Sequence, residues 1–133
     1  MPAQPDRVPF EYAIIRVVPR VERGEAFNAG IVLFSRARAF LDARVALDEA
    51  LLAAMAPSGG DPGEVRRYLE AIPRVCVGDA AAGPIALLPL PERFRWLTAR
   101  SSTIVQPSEV HAGLTDDPAA ELAHLFETLV SRG

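Results

Sequence analysis

Residues 12–47 read YAIIRVVPRVERGEAFNAGIVLFSRARAFLDARVAL, and this stretch decides the fold. It holds three runs of β-branched and apolar residues separated by prolines, glycine and charged residues, which is the pattern of strands joined by turns. The runs are residues 11–19, 27–35 and 40–47. The second run is apolar on both faces, which predicts a central position in the sheet. Because the links are short, we expect an antiparallel meander.

Two later segments show the apolar spacing of amphipathic helices. One begins at Asp61-Pro62 and the other at Asp117-Pro118, so each has a side-chain acceptor at the N-cap and proline at the first helical position. A shorter helix is expected after Asp48. Pro73 is expected to kink or end the helix that begins at Asp61, because proline lacks the backbone N–H that a helix interior needs.

Combining these elements predicts an α+β domain. Its antiparallel sheet has about four strands, three in the N-terminal meander and one later strand at residues 102–106, and two main helices cover it. Residues 1–10 hold three prolines and no periodicity, so we expect a flexible N-terminal tail followed by a single domain over residues 11–133.

The composition limits the class of protein. The formal net charge is −3, which argues against nucleic acid as a partner because nucleic-acid binders usually carry a basic excess. All 14 basic residues are arginine, which reflects either the codon bias of a GC-rich genome or the use of the guanidinium fork to hold carboxylates and phosphates. We find no secretory signal pattern and no apolar run of membrane length. The single cysteine, Cys76, cannot form an intrachain disulfide, so we predict a cytoplasmic protein with no membrane association.

Arg16 and Asn28 are the first candidates for a binding site. Strand alternation places Arg16 on the face of Tyr12 and Ile14, where we expect it to be half-buried. A buried guanidinium needs a partner, so Arg23, Glu22 and Glu25 are candidates for structural ion pairs, with either glutamate available to Arg16. Gly30 shares a face with Asn28, and glycine inside a strand indicates a bulge or the close approach of a neighbour. That neighbour is either a packed helix or a ligand in a shallow groove beside Asn28 and Arg16.

The segment RFRWLTARSST at residues 93–103 is the second candidate. If it is helical, Arg93 and Arg100 lie near one face, and Ser101 and Ser102 place hydroxyls beside Arg100. Arginine forks, hydroxyls and free amides at a turn suit a phosphate or a carboxylate. The alternative is structural, with Trp96 as a core anchor and the hydroxyls satisfying the ends of a strand.

His111 lies in a predicted turn before Ala112-Gly113 and could approach the same region as a proton shuttle. No second histidine or cysteine stands at metal-ligand spacing, so we predict neither a metal nor a cofactor. The sequence also lacks a glycine-rich phosphate loop, a dinucleotide fingerprint and a serine nucleophile elbow. The catalytic residues, if the protein is an enzyme, are therefore not identified.

Two blocks of this sequence together resemble a bacterial family, the domain of unknown function 3037 (DUF3037) family. The first block is YAIIRVVP with RGEAFNAGIVLF, and the second is RFRWLTARSSTIVQPS with His111-Ala-Gly. The sequence departs from the family pattern at Ala29, where valine is expected, and at Val105, which is inserted. The family brings no established activity. Its members are often encoded beside a HipA-like kinase, which implies that kinase as a protein partner or as a member of a shared pathway.

Two functions remain open. One is a small cytoplasmic protein-interaction or regulatory domain, acting with a HipA-like kinase and able to form a homodimer through an exposed strand edge. The other is an enzyme or sensor that binds a phosphorylated or carboxylated small molecule. The second predicts that Arg16, Asn28, Arg100 and Ser102 converge on one concave pocket.

Overall fold

The structure, a computed structural model, describes residues 6–56, 61–101 and 103–131. These residues form one antiparallel sheet with helices on both faces. The strands are β1 (Val8–Val17), β2 (Phe27–Ser35), β3 (Phe40–Val45), β4 (Val105–Pro107) and β5 (His111–Thr115). The helices are α1 (Glu49–Met55), α2 (Pro62–Cys76), α3 (Leu90–Leu97) and α4 (Pro118–Leu129). Short 3-10 turns lie at Val21–Arg23, Ala80–Ala82 and Pro84–Leu87.

The sheet confirms the predicted α+β class and the N-terminal meander. Its strand order is β3-β2-β1-β4, β5 also pairs with β1, and each of these pairings is antiparallel. β2 lies between β1 and β3, as its apolar faces predict. The described residues form five strands where about four were predicted, and the two predicted main helices, α2 and α4, are accompanied by the shorter α1 and α3.

The edge of the sheet beside β1 is formed by β4 and β5, and residues 108–110 between them form a bulge, which we name the edge bulge. Both strands pair with β1, and the Ser108 N–H donates to the Ile14 carbonyl at 2.7 Å while the Ile14 N–H donates to Ser108 Oγ at 2.8 Å. The predicted fourth strand is thus β4, beginning at Val105 rather than residue 102. We predicted a turn where β5 forms, because Ala112-Gly113 is weak strand sequence. The Phe10 ring lies so close to Gly113 that a Cβ there would meet it at 2.8 Å, so tertiary packing selects the glycine.

The N-terminal boundary is also earlier than predicted. β1 begins at Val8, and Val8, Pro9 and Phe10 pair with β5 although they fall in the segment expected to be a tail. Phe10 is buried in the apolar layer under α4. Residues 8–10 therefore belong to the sheet, because β5 supplies a pairing partner that local sequence does not reveal.

The predicted helix starts are confirmed by their caps. Asp48 accepts a hydrogen bond from the Leu51 N–H at 3.0 Å, Asp61 from Gly63 at 2.9 Å, and Asp117 from Ala120 at 3.1 Å. These bonds satisfy N–H groups that the helices cannot satisfy themselves.

Of the two outcomes expected at Pro73, a kink or the end of the helix, the end does not occur there, since α2 continues to Cys76. Val75 and Cys76 are buried, and the Arg93 guanidinium donates to the carbonyls of both. Burial and these hydrogen bonds stabilise the last turn against the loss of one backbone bond at Pro73.

Two apolar layers hold the sheet and helices together. On one face, α1, α2 and α3 contribute Leu52, Leu69 and Phe94, and on the other face α4 contributes Leu122. The Phe94 ring stacks on Phe34 at 5.2 Å. Trp96, expected as a core anchor, is 54% exposed, since α3 turns Phe94 inward instead. Among the described helices, none has the length and apolarity needed to cross a membrane.

Cys76 is expected to be unreactive in the folded protein. Burial, more than the nearby Asp42 carboxylate, raises the pKa of its thiol to about 12, so almost no thiolate forms at neutral pH. Iodoacetamide at pH 8 should label Cys76 only after denaturation. Because the folded thiol keeps its proton where the unfolded thiol loses it, stability should fall as the pH rises from about 9 to about 12. Cys76→Ala should weaken that pH dependence, and rapid labelling of the native protein would contradict the assignment.

Candidate anion-binding site

Arg16 lies near the end of β1 and is exposed, so the expectation of half-burial is wrong. It pairs with Asn28 on β2, and the Asn28 amide donates to the carbonyl of Leu129 at the end of α4. The helix therefore ends beside β2 and does not extend over Arg16. A bulge in the pairing between β1 and β2, at Ile15/Arg16, adds a local change of direction at the same place.

The structure brings Arg16 together with Arg100 and Ser101. These residues line an open cavity of about 660 Å³ at the edge of the sheet, which we name the arginine cavity. Its other polar lining residues include Gln106 on β4 and Ser108 and Glu109 in the edge bulge. A smaller hollow of about 310 Å³ adjoins it and shares Arg16, Ser101 and Gln106. The two predicted polar blocks thus meet in space.

Hydrogen bonds link two residues that line the arginine cavity, Ser101 and Gln106, to Thr103. The hydroxyls of Ser101 and Thr103 lie 2.9 Å apart, and Thr103 Oγ1 donates to the Val105 carbonyl at 2.9 Å. The Gln106 side-chain amide donates to the Thr103 carbonyl at 2.7 Å. These bonds order Ser101 and residues 103–106 before any ligand arrives, which lowers the entropic cost of binding.

The cavity carries a local positive charge on a chain whose net charge is negative. Two arginines, Arg16 and Arg100, and one carboxylate residue, Glu109, line the cavity. Among the described residues, neither arginine has an acidic side chain within ion-pair distance. Their donors are therefore available to an anion.

Three other candidates lie elsewhere in structural roles. Asn28 holds the end of α4, as described above. Arg93 donates to the carbonyls of Leu88 at 2.7 Å, Cys76 at 2.9 Å and Val75 at 3.3 Å, which ties α3 to the end of α2. His111 is exposed on β5, and its ring lies 5.2 Å from that of Tyr12. None of the three lines the arginine cavity. Ser102 lies outside the described residues.

Glu25 does not pair with Arg16. It accepts two hydrogen bonds from the Arg23 guanidinium, at 2.9 and 3.2 Å, on the exposed turn before β2. These hydrogen bonds, and then the charge of Arg23, lower the pKa of the Glu25 carboxyl. Glu22, on the same turn, forms no ion pair with another described residue.

Sequence reasoning missed several residues of the cavity, because they lie just outside the predicted strand, one before it and two after it. Thr98, Ser108 and Glu109 line it, and the last two lie between β4 and β5. A weak signal existed in Gln-Pro-Ser at residues 106–108, since proline in a strand favours an edge position.

The fold and the cavity define a class, a small α+β domain with an open cationic pocket at the edge of an antiparallel sheet. A family model described as protein of unknown function (DUF3037) matches residues 12–130, so the chain belongs to the DUF3037 family, as its two sequence blocks predicted. No curated protein and no solved structure matches the chain.

Proposed function

We propose that this domain binds a phosphorylated or carboxylated small molecule in the arginine cavity and acts as a sensor or regulatory module. One observation carries the proposal. Arg16 and Arg100, which are far apart in the sequence, line one cavity with the Ser101 hydroxyl. A guanidinium offers a planar fork of donors that matches carboxylate and phosphate oxygens, and two of them at one cavity suit a single anion.

The lining of the cavity favours binding over catalysis. Glu109 is its one carboxylate, and no histidine or cysteine accompanies it among the described lining residues. A nucleophile also needs a base within hydrogen-bond reach, and the Ser101 hydroxyl has Thr103 as its neighbour instead. An open cationic pocket of this kind suits recognition of an anion without turnover.

Replacing either Arg16 or Arg100 by alanine should weaken anion binding about tenfold to a hundredfold, because each replacement removes a charged group that hydrogen-bonds to the anion. The measurement is isothermal titration calorimetry with phosphate monoesters and small carboxylates. Arg16→Ala and Arg100→Ala should both lose affinity while keeping the melting temperature of the free protein. Arg67→Ala is the matched control, since Arg67 is exposed on α2, away from the cavity. Equal affinities for all four proteins would overturn the proposal.

A second candidate is the protein-interaction role, with a HipA-like kinase as the partner and the cytoplasm as the location. It is favoured by exposed apolar side chains on three elements that pack together, the end of α2, the turn at Pro84–Leu87 and α3. Val77 is 70% exposed, Leu87 67% and Trp96 54%. Exposed apolar groups of this size are common at protein interfaces.

The kinase interaction is tested by co-purification of the two proteins expressed together. Trp96→Ala and Leu87→Ser should reduce recovery of the kinase, whereas Arg100→Ala should not. No recovery of the kinase with the unmodified domain would count against this candidate and would leave anion binding untouched.

A further inference from the structure

A second cavity, of about 540 Å³, lies beside the arginine cavity and has a different chemistry. Its lining includes the stacked rings of Phe34 and Phe94, and Pro91 and Val110 add further apolar surface. We name it the phenyl cavity. Both rings are buried in the core, so their positions are held by packing rather than by a ligand.

The two cavities are adjacent. Thr98, just after α3, lines both of them, and the consecutive bulge residues Glu109 and Val110 line one each. The Thr98 hydroxyl donates to the Phe94 carbonyl at 2.8 Å, so this junction presents no unpaired hydroxyl donor to a ligand that crosses it.

Charge at the phenyl cavity has the same sign as at the arginine cavity. Arg36 and Arg95 line the phenyl cavity with Glu11 as the single acid among its lining residues. Together the two cavities hold four arginines and two glutamates, an excess of two positive charges, on a chain of net charge −3. The joined surface is therefore both apolar and cationic, and it complements a molecule that is both apolar and anionic.

We propose that the ligand of this domain is an aromatic anion, a planar apolar ring that carries a phosphate or a carboxylate. This inference rests on the proposed anion-binding function and names its substrate class. We place the anionic group in the arginine cavity, which Arg16 and Arg100 line, and the ring in the phenyl cavity, which Phe34 and Phe94 line. Arg36 and Arg95 at the phenyl cavity can approach the face of a bound ring, where a guanidinium is attracted to the aromatic quadrupole.

A pair of probes with the same anion and different apolar groups tests the inference. Phenyl phosphate should bind about tenfold or more tightly than methyl phosphate, because burial of the ring adds apolar contact that a methyl group cannot make. Isothermal titration calorimetry measures both affinities at one ionic strength. Arg100→Ala should weaken both probes by a similar factor.

Filling the phenyl cavity separates this inference from the proposed function. Ala37→Phe places a ring at its exposed lining, so it should lower the affinity for phenyl phosphate and leave methyl phosphate unchanged. Ala53→Phe, on the exposed side of α1, is the matched control. If both probes bind equally and Ala37→Phe changes neither, the aromatic ligand class is wrong and anion binding stands. If neither probe binds, both proposals fail.

Discussion

Replacement of Arg93 by alanine is expected to lower the free energy of unfolding by about 2–4 kcal/mol. The half-buried guanidinium donates to the carbonyls of Leu88, Cys76 and Val75. Two of these carbonyls belong to the last turn of α2, where carbonyl groups lack partners within the helix and a cation is favoured by the helix dipole. The truncation removes the donor of the Cys76 carbonyl, whereas the Val75 carbonyl keeps a hydrogen bond from the Gly78 N–H at 3.1 Å. It also removes the side chain that fills the space beside Gly78.

Urea denaturation measures the effect, with two comparisons. Arg93→Lys should recover only part of the loss, since an ammonium group cannot reach three carbonyls with a planar fork. Arg95→Ala, two residues on and exposed, should change stability by less than about 0.5 kcal/mol. An Arg93→Ala protein as stable as the unmodified one would contradict the structural role and return Arg93 to the candidates for ligand binding.

Substitution of Gly30 by alanine is expected to destabilise the protein by about 1–3 kcal/mol, although alanine is the smallest side chain that can replace it. A Cβ at this position would lie 2.8 Å from the Arg44 carbonyl oxygen and 2.8 Å from Val45 Cγ1. The carbonyl belongs to the β3 backbone, which cannot move without disturbing the pairing of β2 with β3. Gly30 also pairs with Ile15 at the bulge beside Arg16, so the change should weaken anion binding as well.

The double variant Gly30→Ala/Val45→Ala provides the control for this clash. Removing the Val45 methyl groups relieves one of the two close approaches and leaves the backbone contact, so the double variant should be more stable than additivity of the two single changes predicts. Thermal or urea unfolding of the four proteins measures the coupling. Strict additivity would show that the Cβ does not meet Val45.

Gly30 also shows what the local sequence pattern could predict and what it could not. Glycine in an apolar strand correctly predicted a close neighbour or a bulge, and both are present at Gly30. The neighbour, however, is β3 rather than a helix or a ligand. Local sequence encodes the absence of a side chain, whereas the pairing of distant strands decides what occupies the space.

In the candidate site, too, some features followed from the sequence and others depended on the fold. The small-molecule hypothesis predicted that Arg16, Asn28, Arg100 and Ser102 converge on one pocket. Arg16 and Arg100 line the arginine cavity, whereas Asn28 does not and Ser102 lies outside the described residues. Arg93 has the same residue type and lies in the same predicted helix, yet its guanidinium is directed at backbone carbonyls. Residue type alone could not separate them, because the difference depends on where α2 ends relative to α3.

By itself the sequence determined the α+β class, the three-stranded meander, the capped starts of the helices and the family. These features depend on neighbouring residues, through apolar periodicity, N-cap acceptors and the placement of glycine and proline. Only the tertiary structure decided the strand β5, the exposure of Arg16 and Trp96, and the two adjoining cavities. Each of these arises where segments distant in the chain come together, so its energy depends on contacts that no single stretch of sequence contains.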